Sequence, residues 1–297
     1  VYNITTLGTE NQLGLNDILN NISKAGKDEN IRGIYLELTG LQTGIATLEE
    51  IRNALLDFKK TGKFIVAFSN SYSQGTYYLA SVADKIYMNP GGTVDFVGLS
   101  AEIMFYKKTL EKLDIKPEII RHGKFKSAME PFMYDKMSPE NREQIRKYMG
   151  SIWSHIVNKI SESRNISAEK LNSIADNLLL WNDSSSVSLG VVDTLLYKDQ
   201  VLDTLARLVN IEKSKNLLFV THQKYLRVPK PHNEKGYTRD KIAIIYASGD
   251  IVPGEQGEGS IGSERISKAI RNARQDSSIK AIVFRVNSGG GSALASE

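Results

Sequence analysis

The sequence predicts an α/β protein in which parallel strands alternate with helices and one unit occurs twice. Three observations support this prediction. Residues 14–49 recur without a gap as residues 262–297, at an offset of 248 (262 minus 14). Short apolar runs alternate with amphipathic stretches of helical period, which is the pattern of parallel strands joined by crossover helices. Hydrophobic residues make up 41% and charged residues 24%, as in ordinary folded domains.

The repeat keeps its register through a helix, a turn and a strand. Three pairs of apolar residues lie on one helical face in both copies: Ile18 with Ile266, Ile22 with Ile270, and Ala25 with Ala273. The strands that follow are residues 31–38 and 279–286, and both are apolar enough to be buried. Chance identities rarely preserve all three elements at one offset, so we expect two structural copies.

Helical and strand periodicities alternate after the first strand. They predict, in order, a helix at 48–60, strands at 63–69 and 85–88, a helix at 101–113, a strand at 118–121 and a helix at 139–160. The sequence Asn-Pro-Gly-Gly at 89–92 is a strong turn signal, and Ser138 followed by Pro139 is typical of a helix start. Further helices are expected to about residue 208.

The chain is therefore predicted to have three parts. Residues 1–212 form the first copy with a helical extension, and residues 213–240 form a basic, proline-bearing connection. Residues 241–297 start the second copy, which opens with a strand at 241–247. We expect this second copy to be truncated, because the first copy continues well beyond the residues that the repeat covers.

Composition excludes several classes of function. The chain has no cysteine, which excludes disulfides, thiolate catalysis and cysteine metal sites. Its net charge of +4 is spread along the chain without a basic block, which disfavours nucleic acid as a partner. The four histidines lack metal-ligand spacing, so we expect neither a metal nor a cofactor. No apolar run approaches the roughly 20 residues of a membrane span.

A glycine-rich segment follows the strand of the second copy directly. It reads Asn-Ser-Gly-Gly-Gly-Ser at 287–292. Consecutive glycines at a strand end let a ligand approach the backbone closely, and peptide N–H groups there can face an oxygen that becomes negative. A flexible turn explains the same composition equally well. The first-copy counterpart, residues 39–44, has no glycine run, so one copy is specialised and the other degenerate.

A second segment, residues 123–132, carries two lysines among apolar side chains. Phe125, Ala128, Met129 and Phe132 are the apolar neighbours. Desolvation by such neighbours disfavours the ammonium form of a lysine and supplies a neutral amine as a general base. Most lysines are solvated surface charges, and that interpretation stays open for this segment.

At these segments the chain resembles a known family, the long duplicated form of signal peptide peptidase A. The matching stretches are residues 70–81, 123–139, 285–292 and 295–297, and the resemblance covers nearly the whole chain. Members of this family are serine peptidases with a Ser–Lys dyad. The resemblance therefore implies a crotonase/Clp protease-like fold made of tandem duplicated parallel-sheet βα units.

The resemblance also implies roles for individual residues. It places the general base on Lys126, not on Lys124, and the glycines of the oxyanion hole on Gly290 and Gly291. The chain departs from the family at Gly289, where proline is usual. That departure loosens the turn without removing a hydrogen-bond donor.

The nucleophilic serine of the family falls outside this chain. The resemblance places it in a Ser-Gly-Gly stretch after the next strand of the second copy, at about 321 to 322 (73 or 74 plus 248), and not on Ser292. The first-copy counterpart is Gln74. The neighbouring Ser73 is the local candidate if the first copy retained chemistry, although a structural role is the simpler interpretation.

The implied function is a serine endopeptidase that degrades hydrophobic signal-peptide remnants. The resemblance implies a homo-oligomer at the bacterial inner membrane, held by an N-terminal segment absent from this chain, with its catalytic domains on the extracytoplasmic (periplasmic) side. This chain alone is expected to be inactive and soluble. Two alternatives are an inactive scaffold or assembly fragment and a crotonase-type enzyme acting on acyl thioesters, which would leave Lys126 without a role.

Overall fold

The computed structural model describes residues 2–3, 8–9, 13–41, 43–121, 123–229, 239–257 and 259–297. The chain divides into two compact units, unit 1 (Val1–Pro231) and unit 2 (His232–Glu297). The boundary between them lies inside the predicted connection at 213–240. The three-part division of the chain itself stays a prediction.

Unit 1 alternates strands and helices through most of its length. Its strands are β1 (Tyr2–Asn3), β2 (Gly8–Thr9), β3 (Gly33–Glu37), β4 (Phe64–Ser69), β5 (Lys85–Met88) and β6 (Thr194–Leu195). Its helices are α1 (Leu15–Lys27), α2 (Ile45–Lys59), α3 (Gln74–Ala80), α4 (Lys107–Lys112), α5 (Glu130–Met133), α6 (Pro139–Arg164), α7 (Ala168–Asp176), α8 (Asp183–Ser188), α9 (Lys198–Leu208) and α10 (His222–Tyr225). Two 3-10 turns lie at Ser127–Met129 and Ser214–Asn216.

A four-stranded parallel sheet in the order β3-β4-β5-β6 forms the centre of unit 1. Strand β4 is buried on both faces. Ile65 and Ala67 belong to the main core, which includes residues of α1, α2, α3, α6 and α7, while Val66 and Phe68 pack with Val201 of α9. Parallel sheets need such cover on both faces, since crossover helices occupy them. The prediction of an α/β protein with parallel strands is confirmed.

Two predicted elements of unit 1 differ in the structure. Helix α4 begins at Lys107, six residues later than predicted (107 minus 101), because the backbone N–H of Tyr106 donates to the carbonyl of Pro131 at 2.7 Å. The strand predicted at 118–121 is wrong. Residues 118–121 form no strand and Ile120 is fully exposed, while the edge of β5 pairs with β6. A short apolar run forms a strand only where it can pair with the edge of a sheet.

Unit 2 contains a second pair of parallel strands. Its elements are β7 (Lys241–Ser248), β8 (Asp250–Val252), β9 (Ser260–Gly262), α11 (Ser263–Gln275), β10 (Ile279–Asn287) and α12 (Ala293–Ser296). Strands β7 and β10 pair in parallel, and so do β8 and β9. The strand predicted at 279–286 is formed by β10, but its predicted burial is wrong, because most of its side chains are exposed, among them Phe284. Ile244 of β7 is exposed as well.

The sequence repeat is present in the structure. Helices α1 and α11 begin and end at positions that differ by 248 (263 minus 15 and 275 minus 27). Each is followed by the same turn, in which an aspartate carboxylate accepts a hydrogen bond from the backbone two residues on, at 3.0 Å for Asp28 and 2.9 Å for Asp276. Local sequence therefore specifies helix, turn and strand in the same way in both copies.

Among the described helices, none is both long enough and apolar enough to cross a membrane. The longest, α6, has 26 residues and carries charges along its length.

The last helix of unit 1 is held on its first helix by a buried lysine. Lys24 of α1 donates to the carbonyl of Tyr225 at 2.5 Å and to that of Val228 at 2.8 Å, and its ammonium lies 4.2 Å from the centre of the Tyr225 ring. The Tyr225 hydroxyl donates to Asp28 at 2.8 Å. These contacts join residues about 200 positions apart and fix α10 against α1.

Replacing Lys24 with methionine tests this attachment. Lys24→Met removes the ammonium from two carbonyls, of which that of Tyr225 keeps the N–H of Val228 at 3.1 Å. Hydrogen bonds to charged groups contribute about 1.5 to 3 kcal/mol, so we expect the free energy of unfolding to fall by about 2 kcal/mol. Lys27→Met, in the exposed last turn of the same helix, is the matched control and should change little. Urea unfolding followed by the fluorescence of Trp153 measures both. Equal stability of the two variants would contradict the assignment.

Candidate active site

The glycine turn of unit 2 is pinned to strand β8. Ile251 donates its backbone N–H to the carbonyl of Gly290 at 3.0 Å, and its own carbonyl accepts from the N–H of Ser292 at 2.9 Å. Gly290 and Gly291 have φ angles of +115° and +156°. A Cβ on Gly291 would lie 2.1 Å from the carbonyl oxygen of Ile251. Only glycine therefore fits at 291.

The two predicted oxyanion donors differ in their hydrogen bonds. The N–H of Gly290 donates to the hydroxyl of Ser288 at 3.0 Å. The N–H of Gly291 has no acceptor within the described ranges of the chain. Gly291 thus offers a free donor in the turn that follows strand β10, whereas the N–H of Gly290 must first break its hydrogen bond to the Ser288 hydroxyl. The assignment of these two glycines to an oxyanion hole remains a prediction.

Two serines near the predicted sites act as helix caps. Ser292 is the N-cap of α12 and accepts from the N–H of Ala295 at 3.3 Å. Ser73 is the N-cap of α3 and accepts from the N–H of Thr76 at 3.3 Å. Capping accounts for both serines, and this agrees with the structural role that the sequence indicated for Ser73.

Lys126 lies in an exposed turn of unit 1. It directly precedes the 3-10 turn Ser127–Met129, and its N–H lies 3.4 Å from the carbonyl of Gly123. The side chain is exposed, and Phe125 and Met129 are also more than a third exposed. Within the described part of unit 1, the apolar neighbours therefore do not bury Lys126, and the predicted desolvation is not observed. The role of Lys126 as a base stays a prediction.

A buried carboxylate fixes the Lys126 turn to the start of α6. Glu130 accepts from the hydroxyl of Ser138 at 2.5 Å, from the N–H of Ser138 at 3.2 Å and from the amide of Asn141 at 3.0 Å. The guanidinium of Arg121 lies 3.8 Å away. Burial alone raises the pKa of Glu130, but the hydrogen bonds from Ser138 and Asn141 and the charge of Arg121 outweigh burial and lower it. Sequence patterns missed this anchor, because its partners lie 8 and 11 residues away.

A second polar cluster that the sequence did not predict lies beside α3. The Tyr78 hydroxyl donates to the carboxylate of Glu49, and Nε2 of His155 lies 3.1 Å from the same carboxylate. The buried Arg52 lies 5.2 Å from the Tyr78 ring and donates to the carbonyl of Lys159 at 2.6 Å. Burial and the nearby Glu49 raise the pKa of Tyr78, so this hydroxyl stays protonated. The identity of Glu49 and Glu297 in the repeat was the signal that could have found it.

Within the described ranges, no group of three or more histidine, aspartate or glutamate side chains could hold a metal ion. His122 and His232 lie outside the described residues. Of the other two histidines, His155 pairs with Glu49, and Nδ1 of His222 lies 3.3 Å from the amide of Asn21.

The two predicted site segments define a class of chemistry. An amine on a braced turn can exchange protons, and a free backbone N–H after a strand, such as that of Gly291, can stabilise an oxyanion. Together these are the needs of a hydrolase that attacks a carbonyl with an activated nucleophile. The structure places Lys126 in unit 1 and the glycines in unit 2.

Comparison with known proteins gives the family. The chain belongs to peptidase family S49, whose model matches residues 57–212. This range includes the Lys126 turn, the Glu130 anchor and Gln74. The predicted resemblance to signal peptide peptidase A is confirmed.

Three curated relatives match nearly the whole chain. "Protease 4" of Haemophilus influenzae is 35% identical over 95% of this chain and 47% of its own length. "Protease 4" of Salmonella typhi is 37% identical, over 95% and 46%. "Serine protease SPPA, chloroplastic" of Arabidopsis thaliana is 31% identical, over 96% and 42%. The chain thus spans less than half the length of each of these relatives.

The glycine turn can be tested through backbone strain. Gly291→Ala would place a methyl group against the Ile251 carbonyl at a positive φ, so we expect a local loss of about 1 to 3 kcal/mol. Gly289→Ala is the matched control, because a Cβ there meets nothing within 4 Å. Hydrogen exchange at the Ser292 amide measures the effect. If both variants left the protection of the Ser292 amide unchanged, the close approach of Gly291 to the Ile251 carbonyl would be refuted.

The Glu130 anchor predicts a pH-dependent stability difference. Glu130→Gln removes the charge that Ser138, Asn141 and Arg121 face, and we expect it to lower the free energy of unfolding by about 2 to 3 kcal/mol at neutral pH. Because the folded pKa of Glu130 is lowered, its contribution is present above the ordinary pKa of about 4.3 and is lost as the pH falls through the lowered value. The gap between wild type and variant should therefore close in acid.

Urea unfolding at a series of pH values measures this gap. The control is Glu102→Gln, at an exposed position, which should show neither the neutral-pH loss nor its disappearance in acid. A difference between wild type and Glu130→Gln that did not change with pH would contradict a charged, hydrogen-bonded Glu130.

Proposed function

We propose that the complete protein is a serine endopeptidase that cleaves hydrophobic peptides, remnants of signal peptides, through a Ser–Lys dyad. The observation that carries this proposal is the family match over residues 57–212, which contains Lys126 on a turn anchored by the buried Glu130. The relatives named "Protease 4" and "Serine protease SPPA" support the reaction class. The nucleophilic serine is proposed to lie outside the residues of this chain.

The proposed chemistry begins with proton transfer. The neutral amine of Lys126 accepts the proton of the serine hydroxyl as that oxygen attacks the carbonyl carbon of the scissile peptide bond. The carbonyl oxygen becomes negative and accepts hydrogen bonds from the N–H groups at Gly290 and Gly291. The Lys126 ammonium then donates its proton to the leaving amine, and water hydrolyses the acyl-enzyme by the same steps.

The backbone N–H donors are expected to account for a large part of the rate enhancement. Loss of one oxyanion donor typically costs about 100- to 1,000-fold in rate. Gly291 has its N–H free in the described part of unit 2, which supports its assignment as one of the two donors. Gly290 would contribute once its N–H turned away from the Ser288 hydroxyl.

The location and the assembly are also proposals. We place the protein at the bacterial inner membrane, held by a segment that precedes Val1, with its catalytic units on the extracytoplasmic side, and we propose a homo-oligomer. The resemblance to the family supports these assignments, and two of the relatives named above are bacterial. Hydrophobic peptides released into a membrane would meet an enzyme placed there.

Replacement of Lys126 in the complete protein tests the proposed function. Lys126→Ala removes the base, so we expect hydrolysis of a fluorogenic hydrophobic peptide to fall at least about 100-fold. Lys124→Ala, two residues away and also exposed, is the matched control and should leave the rate unchanged. Circular dichroism should show both variants folded.

Two outcomes would overturn the proposal. One is wild-type peptide cleavage by the Lys126→Ala variant, which would exclude this lysine as the base. The other is turnover of acyl-CoA thioesters without any peptide cleavage, which would favour a crotonase-type activity.

A further inference from the structure

Unit 1 contains a cavity of about 520 Å³ at the carboxyl ends of its strands. We call it the first-copy pocket. Thr43, next to the start of α2, and Gln74, at the start of α3, both line it. Thr43 belongs to the first-copy counterpart of the glycine turn, and Gln74 is the first-copy counterpart of the proposed nucleophile. The pocket therefore occupies, in the first copy, the place of a peptidase cleft.

The lining of this pocket is uncharged. Its fourteen lining residues include no aspartate, glutamate, lysine, arginine or histidine. Six of the fourteen are large aliphatic residues: Ile45, Leu48, Leu99, Ile145, Ile152 and Ile156. A charged group would lose its hydration there without gaining a partner. The volume lies within the range of about 300 to 1,000 Å³ that is typical of ligand pockets, so the suitable occupant is apolar and neutral.

Gln74 gives the pocket one polar group of fixed orientation. Its side-chain oxygen accepts from the N–H of Gly98 at 3.2 Å. Its amide nitrogen has no acceptor within the part of the chain that the structure describes, and it is therefore available as a donor to a carbonyl. An amide nitrogen is not a nucleophile, because its lone pair is delocalised into the carbonyl. Gln74 can thus hold a peptide without attacking it.

The lining also carries the hydroxyls of Thr43, Tyr78, Ser100 and Tyr148, but it contains no aspartate, glutamate, histidine or lysine that could activate them as a base. The hydroxyl of Tyr78 donates to Glu49, and the hydroxyl of Ser73 caps α3. Neither is free to act as a base or nucleophile on an occupant. The pocket therefore combines the shape and position of a substrate site with polar groups that can bind an occupant and a lining that supplies no base to activate a nucleophile.

We propose that the first-copy pocket is a non-hydrolytic peptide site. It takes the apolar side chains of a short peptide segment, of the size of two leucine residues, and Gln74 donates to a carbonyl of that segment. The choice of a peptide as the occupant rests on the proposed function, whereas its apolar, neutral character rests on the pocket itself. The site would hold substrate near the catalytic centre of the complete protein without cleaving it.

Binding to the 297-residue chain tests this proposal without any need for peptidase activity. The probe is acetyl-Leu-Leu-amide, measured by isothermal titration calorimetry, and acetyl-Asp-Asp-amide is the charged counterpart. We expect saturable binding of the leucine probe and at least tenfold weaker binding of the aspartate probe. Chromatography of the recovered probe should show it uncut.

Two variants locate the binding. Ala101→Trp fills the pocket from an exposed position and should weaken binding at least tenfold, whereas Glu102→Trp, its exposed neighbour outside the lining, should not. Gln74→Leu removes one hydrogen bond and should weaken binding by roughly 3- to 10-fold. Thermal unfolding checks that each variant is folded.

The results that would overturn the proposal are specific. They are an absence of saturable binding, equal binding of the two probes, cleavage of the leucine probe by this chain, or full binding by Ala101→Trp. The last result would place the probe elsewhere, for example in the cavity of about 400 Å³ beside Tyr35 and Phe219. Any of these results would refute the proposed peptide site. If Lys126-dependent cleavage by the complete protein were intact, the proposed function would still stand.

Discussion

The burial of strand β4 on both faces is the constraint on which the rest of unit 1 depends. Its side chains alternate between the main core and the smaller core under α9, so it must be an internal strand with a parallel partner on each side. Parallel neighbours end at the same edge of the sheet. Residues 39–41 and 43–44 after β3 and Ser73 after β4 therefore lie at the same edge of the sheet, the edge where ligands bind in open α/β sheets.

The two copies share the helix, turn and strand of the repeat, and they differ in the loop that follows the strand. Helices α2 and α12 begin 248 residues apart (293 minus 45), after Gly44 and Ser292. The turn before α12 brings backbone against backbone at Gly291, a contact that only glycine permits. The turn before α2 has no glycine run and opens on an apolar pocket instead. The same helix, turn and strand are thus followed by a glycine turn with a free N–H at Gly291 in one copy and by an apolar pocket in the other.

The sequence predicted the features that depend on local periodicity, and missed those that depend on distant partners. The α/β class, the repeat and the N-cap at Ser138 follow from patterns within a few residues, and the structure confirms them. The prediction of a strand at 118–121 was wrong, because pairing at a sheet edge depends on which segment reaches that edge. In the structure, β6 pairs with the edge strand β5. At the candidate site, the resemblance selected Lys126, but no pattern pointed to the carboxylate of Glu130 that holds its turn. Buried charge networks of this kind are specified by tertiary contacts.

The exposure of Lys126 constrains how the proposed dyad becomes active. An amine acts as a base near neutral pH only where burial or nearby positive charge disfavours its ammonium form. Phe125, Met129 and Phe132, near this lysine in the sequence, expose apolar surface, at 55%, 41% and 38% of their side chains. If another part of the complete protein covered these three side chains, burial of each would contribute about 1 kcal/mol, by the usual value per area of apolar surface. This contribution would offset the cost of removing water from the Lys126 amine. The contact that completes the proposed site would then be the same contact that activates its base.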